Sequence, residues 1–199
     1  MFFSKRWQSA LAIFRLQCNN RHKSTTHKLR ESVRRRGLER YVKILLYTYP
    51  LLKTVEKDYE ECIRNKALLS YGNGKTAEET ATEIATEILC QRRFFWLKEK
   101  LQAVLNRLSE EERALVEVRY FGKKKSRLDC VCVEKKTGKP WSERKYFRKH
   151  ERLCEKLDAM IKGMGITKEI YESDFAPTEL FDTVERFVER KERQYSSVS

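Results

Sequence analysis

From residue 38 to residue 188, apolar side chains recur three and four positions apart, and this period predicts a bundle of amphipathic helices. In 38–69 the recurring set is Leu38, Tyr41, Val42, Leu45, Leu52, Val55, Tyr59, Cys62 and Ile63. Pro50, directly after Tyr49, makes this segment one bent helix or two short ones. In 77–108 the stripe is Ala77, Ala81, Ile84, Ile88, Phe95, Leu101, Val104, Leu105 and Leu108. Alternation over strand lengths is rare, and 7 Gly and 3 Pro in 199 residues leave few turns of the kind sheets need. The expected class is all-α.

Punctuation between the stripes sets the order of elements. A turn at Ser70-Tyr-Gly-Asn-Gly74 joins the first two long segments, and Thr76 with Glu79 has the spacing of a capping box, so an antiparallel hairpin is expected over 38–108. Ser109 with Glu112 opens a helix over 110–121, inward side Leu115, Val116, Val118 and Tyr120, ended by Gly122. Residues 127–136 suit a short helix, although the alternation of Leu128, Cys130 and Cys132 against Val131 and Val133 would also suit a strand; helix is favoured. Thr137-Gly-Lys-Pro140 is a turn, and Ser142 is a good N-cap for a helix over 143–163. A short helical segment at 167–172 leads through Pro177 to a last helix over 178–194, apolar at Leu180, Phe181, Val184, Phe187 and Val188. The expected divisions are a tail at 1–37, the hairpin at 38–108, a third unit at 109–165 and an acidic helical segment at 166–199. The run Phe94-Phe95-Trp96 is wider than one stripe, which implies burial between lobes or at a dimer interface.

The charge is uneven. Of the formal +14, residues 1–37 hold 10 basic and 1 acidic side chain, 38–107 hold 12 and 10, 108–163 hold 16 and 10, and 164–199 hold 5 and 8. Cations gathered beside near-neutral and acidic parts mark a binder of polyanions. No window approaches eighteen apolar residues, which argues against a membrane-spanning helix. Six scattered cysteines without a secretory leader suggest a reducing cytoplasmic setting. The first 30 residues lack Asp and Glu and carry seven Lys or Arg, the pattern of a basic arm or of a mitochondrial presequence.

The segment over 143–164 separates two faces. Arg144, Lys145, Arg148, Lys149 and Arg152 share an arc of about 140°, and Tyr146, Phe147, Leu153, Cys154, Leu157, Ile161 and Met164 take another. Preceded by a shorter helix and a tight turn, it fits the second helix of a helix-turn-helix, which enters the major groove of double-stranded DNA. Arg144 and Arg148 are the expected base readers, because an Arg fork matches guanine O6 and N7. Lys145, Lys149 and Arg152, together with Lys123, Lys124 and Lys125 ahead of the turn, are expected on phosphates. A solvated basic surface helix is the plainer reading of the same arc.

Leu108-Ser-Glu-Glu-Glu-Arg-Ala-Leu-Val-Glu-Val-Arg-Tyr-Phe121, followed by Trp141-Ser-Glu-Arg-Lys-Tyr-Phe-Arg-Lys-His150 and Leu153-Cys-Glu-Lys-Leu157, resembles the fourth conserved region of sigma-70-type factors. The pattern is closer still to the sigma-like regulators of Firmicutes phages and mobile elements, the ArpU type. It covers about 50 residues, and 123–140 lack the family's usual Glu-Ile-Ala scaffold helix. The resemblance implies promoter binding and transcriptional control, with RNA polymerase as a partner and the hairpin serving for homodimerisation or partner contact. Glu185, Glu189 and Glu192 on the last helix offer one surface for the polymerase. The competing class is a structural or packaging protein, such as a small terminase-like subunit, that gathers DNA with little sequence preference. Binding of anionic membrane or RNA through the tail ranks third.

Other motifs carry less. Gly72-Asn-Gly-Lys-Thr76 lacks the glycine and the preceding strand that a phosphate loop needs. Cys130, Cys132, His150 and Cys154 form a weak zinc pattern, with Cys154 on the packing face, and His150 reads as a core-edge histidine. No acid–base or nucleophile grouping stands out, so neither catalytic residues, a metal nor a cofactor is expected.

Overall fold

The computed structural model describes residues 38–69, 74–122 and 129–196, the side chains of 191 and 194–196 excepted. Expectations for the tail at 1–37, for most of the turn at 70–74 and for Lys123, Lys124 and Lys125 lie outside the described residues. Those described are helical throughout, without a strand. The helices are α1 (Arg40–Leu68), α2 (Ala77–Asn106), α3 (Glu110–Val116, continued by a π-helical turn Glu117–Phe121), α4 (Asp129–Thr137), α5 (Glu143–Gly163), α6 (Lys168–Ile170, continued by a π-helical turn Tyr171–Phe175) and α7 (Glu179–Ser196).

Pro50 does not divide α1. It is exposed, and the fully buried Leu46 and Leu52 pack on either side of it, so burial on both sides offsets the missing backbone bond and α1 runs as one helix. Helix α2 opens with the expected capping box: the Thr76 hydroxyl accepts from the Glu79 N–H, and the Glu79 carboxylate accepts from the Thr76 N–H. The pair is antiparallel, as its rungs show in order. Tyr49 donates to Gln102, Lys98 pairs with Glu56 at 2.5 Å, the Tyr59 and Phe94 rings lie 5.5 Å apart, and Lys66 pairs with Glu87 at 2.6 Å.

Ser109 and Glu112 form the second capping box and start α3. The wide turn after Val116 keeps Val118 and Tyr120 inward, sets Phe121 against Tyr49 and turns Arg119 toward α4. Between helix and strand for the next segment, helix holds, from Asp129 to Thr137. Helix α5 ends at Gly163 and is capped at Gly165, whose φ of +83° only glycine takes without strain. There the Ile166 N–H reaches back to the Ile161 carbonyl at 3.2 Å, a left-handed cap that folds the chain over.

The C-terminal segment closes the core. Phe181 on α7 stacks on Phe94 with centroids 6.2 Å apart and touches Phe175 at 5.6 Å and Tyr171 at 5.7 Å, while Phe187 meets Tyr47 edge-on at 5.3 Å. The buried side chains from Leu38 to Val188 belong to one continuous cluster. Of the run expected between lobes or at an interface, Phe94 is buried in this cluster, whereas Phe95 and Trp96 are 47% and 36% exposed. Three acidic residues of α7 reach across to α1: Glu189 and Glu185 pair with Arg40 at 2.5 and 3.0 Å, and Glu192 with Lys43 at 2.7 Å.

Truncating Phe181 to Ala removes the ring on which Phe94, Phe175 and Tyr171 converge. It should cost about 3–5 kcal/mol in urea unfolding, whereas Arg40→Ala, which breaks only half-exposed ion pairs, should cost under about 1 kcal/mol.

Candidate nucleic-acid interface

Helix α5 is held from three sides before its outer face is considered. Ser142 caps it as expected, its hydroxyl accepting from the Lys145 N–H at 3.2 Å. The Asp129 carboxylate at the start of α4 accepts from Arg119 on the π-helical turn and from the Tyr146 hydroxyl on α5, both at 3.0 Å, and so ties three elements at one oxygen. In the turn between α4 and α5, Gly138 has φ +65° and Trp141 is buried. The Trp141 indole N–H donates to the Thr137 hydroxyl at 3.1 Å, and that hydroxyl donates to the Val133 carbonyl at 2.9 Å. Leu153, Cys154, Leu157 and Ile161 anchor the inner side of α5 in the core.

His150 lies where a core-edge histidine should. Its ring stacks near those of Tyr146 and Tyr120, at 5.9 and 6.3 Å between centroids, with the Tyr120 hydroxyl 3.5 Å from Nε2 and the Cys154 sulfur 3.7 Å from Nδ1. Burial pushes the Cys154 thiol up from its ordinary value, a hydrogen bond with Tyr120 acting against it. Burial also raises the Tyr120 phenol. Both groups are therefore neutral at physiological pH. No group of three or more His, Cys, Asp or Glu among the described residues is placed to hold a metal ion.

The outer face divides the five expected cations into two kinds. Arg144, Arg148 and Arg152 are exposed, follow one another every fourth residue over about 12 Å of helix, and have no ion pair among the described residues. Lys145 and Lys149 are turned to internal partners. The Lys145 ammonium donates to the Pro140 carbonyl at 3.1 Å and sits over the Trp141 ring at 4.6 Å, so it closes the turn. Lys149 lies 3.6 Å from Glu111 on α3, which also takes Lys139 at 3.2 Å, and Lys156 pairs with Glu112 at 2.8 Å. The hydrogen bond from Lys139, with the charges of Lys139, Lys149 and Lys145 around it, holds the Glu111 carboxyl below its ordinary value. Glu155, exposed on the same arc, bounds the cationic run at its C-terminal end. The acidic start of α3 and the turn before α5 thus hold the two lysines and leave a stripe of three guanidinium groups facing outward.

Two features of this site were not legible in the sequence. Asp129 reads there as an ordinary first-turn acid, and nothing near it signals that Arg119 and Tyr146 converge on it. Glu111 and Glu112 read as dipole-complementing residues, and their second task, holding lysines about 30 to 45 positions away, needs the fold.

Comparison of the chain with family models, with characterised proteins and with solved structures finds no match. The reading of α5 therefore rests on its own geometry and charge.

Glu112 joins the N-terminus of α3 to α5. Partial burial opposes its charge, but the hydrogen bonds from Lys156 and from the Ser109 N–H outweigh it, so its carboxyl is held below the ordinary value of 4.5. A folded-state value below the unfolded one gives stabilisation that is complete above the unfolded value and is lost as pH falls through the folded one. Glu112→Gln should lower stability by about 1 kcal/mol at pH 7 and less as the pH drops below about 4, read from urea midpoints across an acid series.

Proposed function

We propose that the chain is a DNA-binding transcriptional regulator that reads promoter or operator DNA with the outer face of α5. The observation that carries the reading is the row of Arg144, Arg148 and Arg152. Three exposed guanidinium groups without ion-pair partners among the described residues stand on a helix whose other side is fixed in the core. Guanidinium forks suit both guanine edges and phosphate oxygens, and rigid backing means little ordering entropy is lost when they engage. Arg144 and Arg148, in the first two turns after the Ser142 cap, are the base readers, and Arg152 holds phosphate. Lys145 contributes by stiffening the turn, and Lys149 is shared between Glu111 and the nucleic acid. RNA polymerase as a protein partner follows from the sigma-like resemblance alone. The α7 carboxylates first considered for that contact are paired with Arg40 and Lys43.

The test is selection of bound sequences from random duplex DNA at about 150 mM salt, on the wild type and on Arg144→Ala/Arg148→Ala. The expected result is an enriched motif that disappears in the double variant, each Arg worth about 1–3 kcal/mol at its base. Arg152→Ala should weaken all sequences alike and flatten the salt dependence by about one unit, and Lys149→Ala should do so less because Glu111 already offsets part of its charge. Binding without an enriched motif, unchanged in the double variant, would overturn the reading in favour of packaging or of binding through the basic tail.

A further inference from the structure

We propose that the outward face of α2 is a self-association surface, on which a second copy of this chain docks with its own α2 running antiparallel. Helix α2 buries Phe94, Leu97, Leu101, Val104 and Leu105 on its inner side. On its other side, between residues 81 and 96, Ala81, Ala85, Leu89, Phe95 and Trp96 are exposed and Ile88 is half-buried. These positions share an arc of about 120° and run for about 22 Å, an apolar stripe crossed between residues 81 and 96 by Arg92 alone, which falls within the same arc. The neighbouring threonines add to it. The Thr82 and Thr86 hydroxyls donate to the carbonyls of Glu78 and Thr82 at 2.8 and 2.9 Å, which satisfies them within the helix.

The stripe is polar along its length in two senses, and both select an antiparallel copy. Its N-terminal half carries small residues, Ala81 and Ala85, and its C-terminal half carries Phe95 and Trp96. A two-fold axis near Ile88 lays the large side chains of one copy over the small ones of the other. The charges are divided likewise. Residues 77–91 hold four Glu and no Lys or Arg, whereas 92–100 hold Arg92, Arg93, Lys98 and Lys100 against Glu99 alone. Part of this charge is already matched, since Glu83 pairs with Lys75, Glu87 with Lys66 and Lys98 with Glu56. Glu78, Arg92 and Arg93 are exposed and have no ion pair among the described residues. Antiparallel docking sets acidic half against basic half on both sides of the axis. Parallel docking would set Arg92 and Arg93 against themselves, which like-charge repulsion opposes.

The experiment is sedimentation equilibrium of the full chain over about 1–100 µM, with no nucleic acid present, so that its result is independent of the DNA reading. The expected wild-type result is a reversible monomer–dimer equilibrium. Leu89→Glu, exposed in the monomer, should leave the thermal melt of the monomer unchanged and weaken the dimer by about 30-fold or more. Arg92→Glu/Arg93→Glu supplies the orientation. It lowers the net positive charge, so it would tighten the dimer if charge acted through general repulsion, would leave a parallel pair about as strongly repelled because Glu then faces Glu, and should weaken an antiparallel dimer several-fold at low salt. A chain monomeric throughout, a dimer indifferent to Leu89→Glu, or one unmoved or tightened by the double reversal would each overturn the proposal.

Discussion

The N-terminal half of α1 is apolar over too much of its circumference to be served by one neighbour. Tyr41, Val42, Ile44, Leu45, Leu46 and Thr48 are all buried, and they span an arc of about 200° on a helical wheel, where a surface helix needs little more than 100°. The Thr48 hydroxyl turns back to the Ile44 carbonyl at 2.8 Å and so stays buried without a tertiary partner. Covering such an arc takes helices on two sides. Helix α2 covers one side. On the other stand α7, through Phe187 on Tyr47, and the π-helical turn of α3, through Tyr120 on the same ring at 5.2 Å. Tyr47 is therefore the meeting point of segments about 70 residues apart in sequence, and α5 is fixed because the core beneath it is fixed.

Past Tyr59 the same helix changes character. Cys62 and Ile63 are only half-buried, Leu68 and Leu69 are exposed, and on the facing part of α2 Ile84 and Cys90 are no more than half-buried. The hairpin thus consists of a proximal half inside the core and a distal half in which, among the described residues, two helices have only one another. Two helices with their apolar sides facing bury less than a three-sided packing does, so the distal arm draws much of its stability from continuity with the proximal half. Ion pairs such as Lys66 with Glu87 run along it, but half-exposed pairs of that kind fix register more than they stabilise.

Much of this architecture was legible before any coordinates, for a local reason. The two capping boxes, the Ser142 cap and the 3.6-residue stripes are contained within a few turns of sequence, and each predicted helix lies within a few residues of its expected bounds. What the sequence did not disclose depended on residues far apart. Pro50 could bend or break α1, and the outcome turned on burial of Leu46 and Leu52 by other helices. The run at 94–96 could face one lobe or two, and Phe181, almost ninety residues on, decides that Phe94 goes inside and its neighbours stay out. The acidic face of α7 has the composition of a solvated or partner-binding surface. Its partners are Arg40 and Lys43, about 150 positions away.

The same distinction governs the cationic face of α5. A helical wheel places five basic residues on one arc; side-chain chemistry separates the arginine forks from the lysines there, but nothing in the wheel shows which cations are already held by other parts of the fold. Their ranking comes from α3, whose first turn carries Glu110, Glu111 and Glu112 to satisfy its own backbone N–H groups and dipole. Packing α3 against α5 brings two of these carboxylates beside Lys149 and Lys156, while the turn carbonyl of Pro140 takes Lys145. A lysine bound in this way must exchange one partner for another to reach a phosphate, so the net gain is small and salt weakens both interactions alike. The arginines make no such exchange with a described residue. On the proposed reading, a polyanion meeting α5 would draw most of its binding free energy from Arg144, Arg148 and Arg152, and the carboxylates of α3, with the Pro140 carbonyl, would set that selection without touching the ligand.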